Sequence, residues 1–252
     1  MRSHMPNPFP GVDKVKIIKN NHQLFKSNKC GNNGVNLTII LDESSSMTYC
    51  YDKTISGLNE YILSQKTDEK CFFNLVKFSG SNVTNQFTDI DIHQVPIITS
   101  SHYCPRGSTN LLDAIGSTIN KIDSELEKIE ESNRPAVIIC IITDGEENSS
   151  KEFSYERIKQ MISHRKELNW GFLFLGANID SFSAASNIGI NAAMAANFSQ
   201  DNIDESLKVM SVTTSKMRSY YSSTHSFSAS DFEEVSKFTD AERKKLLGDN
   251  NV

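Results

Sequence analysis

The chain has 252 residues, and 26 Lys and Arg against 31 Asp and Glu leave a formal charge of −5. With 38% hydrophobic and 23% charged residues the composition is globular rather than disordered, and the length suffices for one large domain or two small ones. Mild acidity argues against a nucleic-acid backbone as the main partner, and the longest apolar run, residues 137–142, is far too short to cross a bilayer as a helix.

Residues 1–34 read as an N-terminal arm. Residues 1–5 resemble an expression-tag remnant, and no basic-then-apolar leader follows them. Three prolines and little periodicity mark the stretch from residue 6, with a candidate short strand at 15–18. From residue 35 the pattern changes. Residues 35–41 are a short β-favouring run, and 52–66 place Ile55, Leu58 and Ile62 at helical spacing. Residues 72–78 form the next candidate strand, with 83–88 pairing as a hairpin across Gly80-Ser81-Asn82. Residues 110–131 carry the clearest helical stripe: Leu112, Ile115, Ile119, Ile122, Leu126 and Ile129. Residues 137–142 are apolar on both faces, as a central parallel strand requires. A helix at 154–168, a buried strand at 170–175 and a short helix at 181–188 closed by Gly189 follow. Residues 192–198 are a candidate edge strand, and 201–221 form a last long helix with Ile203, Leu207, Met210 and Met217 on one side. Residues 223–252 are a Ser-rich C-terminal tail with a candidate short helix at 240–247.

Strands alternating with helices predict an α/β fold. It is a doubly wound, mostly parallel sheet with helices on both faces and one antiparallel edge strand, spanning 35–222. Such sheets carry their sites at the carboxyl ends of the strands. Two candidate core strands end there in acid-bearing loops. Asp42-Glu43-Ser44-Ser45-Ser46-Met47 follows the first, and Asp144-Gly145-Glu146-Glu147-Asn148 follows residues 137–143. Gly107-Ser108-Thr109-Asn110 precedes the best helix and should open on the same edge. Together the loops offer the carboxylates of Asp42 and Asp144 and the hydroxyls of Ser44, Ser46 and Thr109. An all-oxygen set of low charge suits a small hard divalent cation, Mg2+ before Mn2+ or Ca2+. In Asp-x-Ser-x-Ser, alternate side chains of an extended turn fall on one side and can converge. A chain this rich in Ser matches that motif by chance often enough that position, not the motif alone, carries the reading.

The pattern resembles the von Willebrand factor A (vWA) domain with its metal-ion-dependent adhesion site (MIDAS). That family is marked by Asp-x-Ser-x-Ser, a downstream Thr and a downstream Asp within Thr-Asp-Gly. Here these match Asp42, Ser44, Ser46, Thr109 and Asp144, the last within Thr143-Asp144-Gly145. The resemblance runs from about residue 35 to 221, and residues 172–178 look like the fifth strand of small intracellular bacterial and phage members. It implies that the five side chains hold the metal directly or through water, and that a partner protein's Asp or Glu carboxylate, or a water, completes the shell. Met47, Arg106, Gly107, Gly145 and Glu146 would form the partner-binding rim. Glu43 departs from the commonest family residue, and its side chain should point away from the metal.

Plainer readings stand beside these. Ser46 or Asp52 could cap the helix at 52–66, and Thr109 or Asn110 the helix at 110–131. Glu146 and Glu147 read as solvated loop acids, and Cys50 and Cys104 as ordinary rim thiols. The five cysteines (Cys30, Cys50, Cys71, Cys104, Cys140) form no CxxC pair, which fits free thiols in a reducing, cytoplasmic setting. The expected function is a metal-dependent protein-interaction scaffold without enzymatic activity. The alternative is a metal-dependent hydrolase or phosphotransferase using Asp42 as nucleophile. It lacks Asp-x-Asp at 42–44, a GxxxxGK[ST] loop, GxG spacing and Gly-x-Ser-x-Gly, and only Arg106 and Lys53 are nearby cations. A vestigial site is a third reading.

Overall fold

The computed structural model describes residues 33–224 and 227–248; the arm before residue 33, with the strand read at 15–18, lies outside the described residues. β1 (Val35–Asp42) is buried along its whole length, and β4 (Ala136–Thr143) is buried after its first residue. Strands apolar on both faces fit only the middle of a sheet, and there they lie. The six strands run in the order β3-β2-β1-β4-β5-β6, with β2 (Cys71–Ser79), β3 (Asn82–Asp91), β5 (Gly171–Gly176) and β6 (Ala195–Asn197). All neighbours pair in parallel except β3, which pairs antiparallel with β2. β3 alternates polar residues on an exposed edge, as an edge strand must to discourage pairing with other chains.

Helices α1 (Tyr51–Ser64), α2 (Leu111–Leu126), α3 (Tyr155–Glu167), α4 (Ser181–Asn187) and α5 (Ile203–Ser223) connect and flank these strands. The crossovers β1–α1–β2 and β4–α3–β5 run in opposite directions along the sheet. Right-handed connection therefore puts α1 and α3 on opposite faces, where α1 packs with α5 and α3 with α2. The strand order reverses between β1 and β4, whose ends lie level because Leu41 pairs with Ile142. Open α/β sheets leave a crevice at such a reversal.

Several boundaries differ from the sequence expectation. α2 stops at Leu126 rather than running to 131. Arg134 Nε donates to the carbonyls of Leu126 (2.8 Å) and Ile129 (3.1 Å), satisfying the terminal acceptors and turning the chain, so Ile129 is left partly exposed outside the stripe. Of the strand read at 192–198 only Ala195–Asn197 pairs, because Ala192–Met194 closes a 3-10 turn capped by the Asn191 side chain. Gly189, at φ +87°, terminates α4 in the left-handed conformation.

Residues beyond α5 pack on the domain. α6 (Ala229–Ser236) and α7 (Asp240–Leu246) lie against α5, and α7 also meets β6. Phe232, Phe238 and Leu246 are buried. Arg243 donates to the carbonyls of Ala192 (3.2 Å), Ala193 (3.0 Å) and Ala195 (2.5 Å) while its guanidinium stacks on Phe182, covering the β6 edge. Phe232 packs against the rings of Tyr220 (5.6 Å), Tyr221 (5.0 Å) and Phe227 (5.1 Å). Phe232→Ala should therefore cost about 3–5 kcal/mol in urea unfolding of the whole chain. A loss below about 1 kcal/mol would mean that α6 contributes nothing to the cooperative unit.

Candidate metal centre

The loop after β1 begins with Asp42, fully buried at the crevice. Its Oδ1 accepts from the Ser44 backbone N–H (2.7 Å), and its Oδ2 accepts from Thr143 Oγ1 at the end of β4 (2.7 Å). The carboxylate thus ties together the two strands that flank the reversal. Ser44 and Ser46 follow on the same side of the turn, their Oγ atoms 3.0 Å apart, and Ser46 Oγ donates to Asp144 Oδ1 at 2.6 Å.

Thr109 reaches the same place from the third loop. A Cβ built on Gly145 would stand 3.3 Å from Thr109 Oγ1 and 3.9 Å from Ser46 Oγ, so both hydroxyls flank one glycine backbone. Any side chain at 145 would crowd this cradle. The structure therefore brings Asp42, Ser44, Ser46, Thr109 and Asp144 to one point.

Backbone bonds hold the loops in register. Ser45 N–H donates to Gly107 O (3.0 Å), Gly80 N–H to Ser108 O (2.6 Å) and Arg106 N–H to Glu43 O (2.7 Å). Tyr103 Oη donates to Asp42 O at 2.8 Å. Glu43 points away from the cluster, as expected, into a buried ion pair with Lys77 (2.8 Å), and it also accepts from the Cys104 N–H (2.6 Å). Thr109 and Asn148 clasp each other: Thr109 N–H donates to Asn148 Oδ1 (2.9 Å), and Asn148 N–H to Thr109 O (3.0 Å).

Other readings change. Met47 is fully buried and cannot belong to a partner-binding rim, because its side chain enters the core while the chain turns through the 3-10 segment Ser45–Cys50. Tyr49, 88% exposed, and Thr48 occupy that rim position instead. Arg106, Gly107 and Glu146 are exposed, and Gly145 is half-buried. Glu147 is not a solvated acid. It accepts from the N–H groups of Leu112 (2.9 Å), Ser149 (2.8 Å) and Ser150 (2.7 Å), bracing the start of α2. The helix-capping reading of the cluster also falls, since the residues at the starts of α1 and α2, Cys50 and Asn110, make no side-chain cap bond. Cys50 is no rim thiol: it is buried, its thiol bonds to Met47 O (3.4 Å), and burial pushes its pKa to about 11. Cys104 is exposed.

Sequence reasoning missed Gln200, half-buried in a 3-10 turn before α5. Its Nε2 donates to Asp144 Oδ2 and to Ser46 O (3.3 Å). No motif signals it, since it lies 56 residues from Asp144.

Burial raises the Asp42 pKa from 3.8 to about 6, against the hydrogen bonds from Thr143 and Ser44 and with help from the Asp144 charge. Burial likewise raises Asp144, against the bonds from Ser46 and Gln200. Neither aspartate has an ion-pair partner among the described residues. Nor does any group of three or more His, Cys, Asp or Glu gather there to hold a metal. A cation at this point would rely on hydroxyls as much as on charge. Two carboxylates without countercharge, three hydroxyls and a glycine cradle fit a hard, oxygen-seeking divalent ion.

No protein-family model and no curated protein sequence matches the chain. Solved structures resemble it weakly. The proximal thread matrix protein 1 of the mussel byssus, with a zinc-occupied MIDAS motif, is 16% identical over 72% of this chain and 45% of that one, at a TM-score of 0.49. In fold, the chain is similar to von Willebrand factor A domains. A von Willebrand factor type A protein from Catenulispora acidiphila is 15% identical over 73% and 43% of the two chains (TM-score 0.48). The manganese-loaded Plasmodium vivax TRAP protein is 19% identical over 69% and 72% (TM-score 0.48). The chain thus spans less than half the length of the mussel and Catenulispora proteins. The doubly wound α/β fold is given by the strand order itself.

Two outcomes follow. Because Asp42 is raised when folded, the metal-free protein binds more protons than the unfolded chain between pH 3.8 and about 6. This group therefore destabilises the fold above about pH 6 by on the order of 3 kcal/mol, and the cost is relieved as pH falls towards 3.8. Asp42→Asn in EDTA at pH 7.5 should unfold at an equal or higher urea midpoint than the parent. The parent's Mn2+ affinity should be flat above about pH 6 and drop below it; an affinity unchanged at pH 5 would mean that Asp42 is ionised there or takes no part in binding. Separately, Lys77→Met leaves Glu43 charged and buried and should cost about 3–5 kcal/mol in the same assay.

Proposed function

We propose that the chain is a metal-dependent protein-interaction module of the vWA type. Asp42, Ser44, Ser46, Thr109 and Asp144 hold one divalent cation, Mg2+ in the cell with Mn2+ or Ca2+ able to replace it. The supporting observation is the convergence of five oxygen-bearing side chains from three loops, beside exposed rim residues. Bound there, the ion offers an electrophilic position that a carboxylate can fill. The three neutral hydroxyls quench little of its charge. A partner protein supplies the Asp or Glu, and Tyr49, Arg106, Gly107 and Glu146 read the surroundings of that acid.

Among the described residues no helix is long and apolar enough to cross a membrane. The free thiols Cys50, Cys71, Cys104 and Cys140 suit a reducing compartment, so we place the module in the cytoplasm, in the assembly or regulation of a protein complex. We assign it no enzymatic activity. A nucleophilic role for Asp42 lacks the second acid that Asp-x-Asp would place at residue 44 and lacks a phosphate-cradling GxxxxGK[ST] loop.

Capture of native partners on the immobilised chain should require Mg2+ and be lost in EDTA. Thr109→Ala should weaken Mn2+ binding and abolish capture while leaving the fold intact. Tyr49→Ala should keep Mn2+ affinity within about twofold yet weaken capture about tenfold, the scale of an exposed aromatic contact. Capture that persists in EDTA and in Thr109→Ala would refute the docking role. Phosphate or peptide turnover that needs Mg2+ and vanishes in Asp42→Asn would establish the enzymatic reading instead.

A further inference from the structure

Gln200 has no place in the Asp-x-Ser-x-Ser, Thr and Asp pattern, yet its side chain reaches the cluster from outside the three loops and bonds to Asp144. Its Nε2 donates to Asp144 Oδ2 and to the carbonyl of Ser46 (3.3 Å). The other Asp144 oxygen, Oδ1, faces Ser46 Oγ at 2.6 Å. The carboxylate is therefore held by two donors from opposite sides, one for each oxygen. They differ in kind. Ser46 Oγ is itself a candidate ligand, so its hydroxyl would serve the cation as well as Asp144. The Gln200 amide has no such second task.

The backbone that carries Gln200 is braced. Phe198 N–H donates to Gly176 O at the end of β5 (2.9 Å), Ser199 N–H to Leu246 O at the end of α7 (3.1 Å), and Asn202 N–H to Ser199 O (2.8 Å). Lys53 of α1 donates through Nζ to Asp201 O. An amide on such a scaffold meets Asp144 without having to be ordered first, which is what a fixed orienting donor needs.

We propose that Gln200 is a positioning residue of the metal centre: its amide pins Asp144 Oδ2 and so presents Oδ1 to the cation or to the ion's bound water. The inference rests on the metal-binding reading above and deepens it. Gln200 acts through Asp144, so its contribution should vanish when the carboxylate is absent.

The test is a double-mutant cycle on the full chain, with Mn2+ affinity read from the electron paramagnetic resonance of the free ion. Gln200→Met keeps length and removes the donor. It should weaken Mn2+ binding about tenfold, the lower end of losses seen when an outer-shell partner is removed, with the unfolding temperature in EDTA unchanged. In the Asp144→Ala background the same substitution should change affinity less than twofold. Gln200→Leu replaces Gln200→Met if the latter unfolds. Parent-like Mn2+ affinity in the folded Gln200 variant overturns the proposal while leaving the metal site standing. So does an equal tenfold loss in both backgrounds, since Gln200 would then act on the ion directly. A parent chain that fails to bind Mn2+ overturns the metal reading itself, and this role with it.

Discussion

The buried carboxylate of Asp42 is the constraint on which the rest of the site depends. It sits where the strand order reverses, and its two oxygens join the turn after β1 to the last residue of β4. Without that bridge, the serine loop and the Asp144 loop would have no common anchor. The same burial that makes the anchor rigid makes it unstable as a charge, which is why its pKa climbs to about 6. A group that costs stability when ionised, in a crevice with no basic partner among the described residues, is arranged for something other than folding.

Around this anchor polar bonds add to the apolar packing of Met47 and Tyr103 in holding the loops. Glu43 turns away from the crevice to Lys77 and to the N–H of Cys104, so the residue next to Asp42 locks the loop that carries Thr109. Glu147 does the same on the other side by bracing the start of α2. Acids close in sequence thus play opposite parts: Asp42 and Asp144 face the crevice, while Glu43 and Glu147 hold the loops that shape it. Buried ion pairs and bonds of this kind gain little net stability but strongly penalise alternative arrangements, because a misplaced loop would strand a charge.

Much of this was legible in the chain itself. Residues 137–142, apolar on both faces, could only be a central strand, and the stripe from Leu112 to Leu126 could only be a helix against the sheet. The placement of Asp42, Thr109 and Asp144 at one edge followed from the rule that such sheets gather their loops at the carboxyl ends of strands. What misled was local. Met47 looked like a rim residue because it follows the motif, but the 3-10 turn drives it into the core and lifts Tyr49 out. Ile129 continued the stripe of α2 in number but not in space, because Arg134 ended the helix a turn earlier.

The sequence by itself determined the element types, their order and the residue types at each strand end, since hydrophobic period and turn chemistry are local properties that any backbone must obey. Only the tertiary structure decided which neighbours those residues keep. The hold of Gln200 on Asp144, the turn of Glu43 towards Lys77 and the docking of α6 and α7 on α5 join positions distant in the chain. Such contacts depend on how the whole sheet and its crossovers close, and no short-range pattern encodes them.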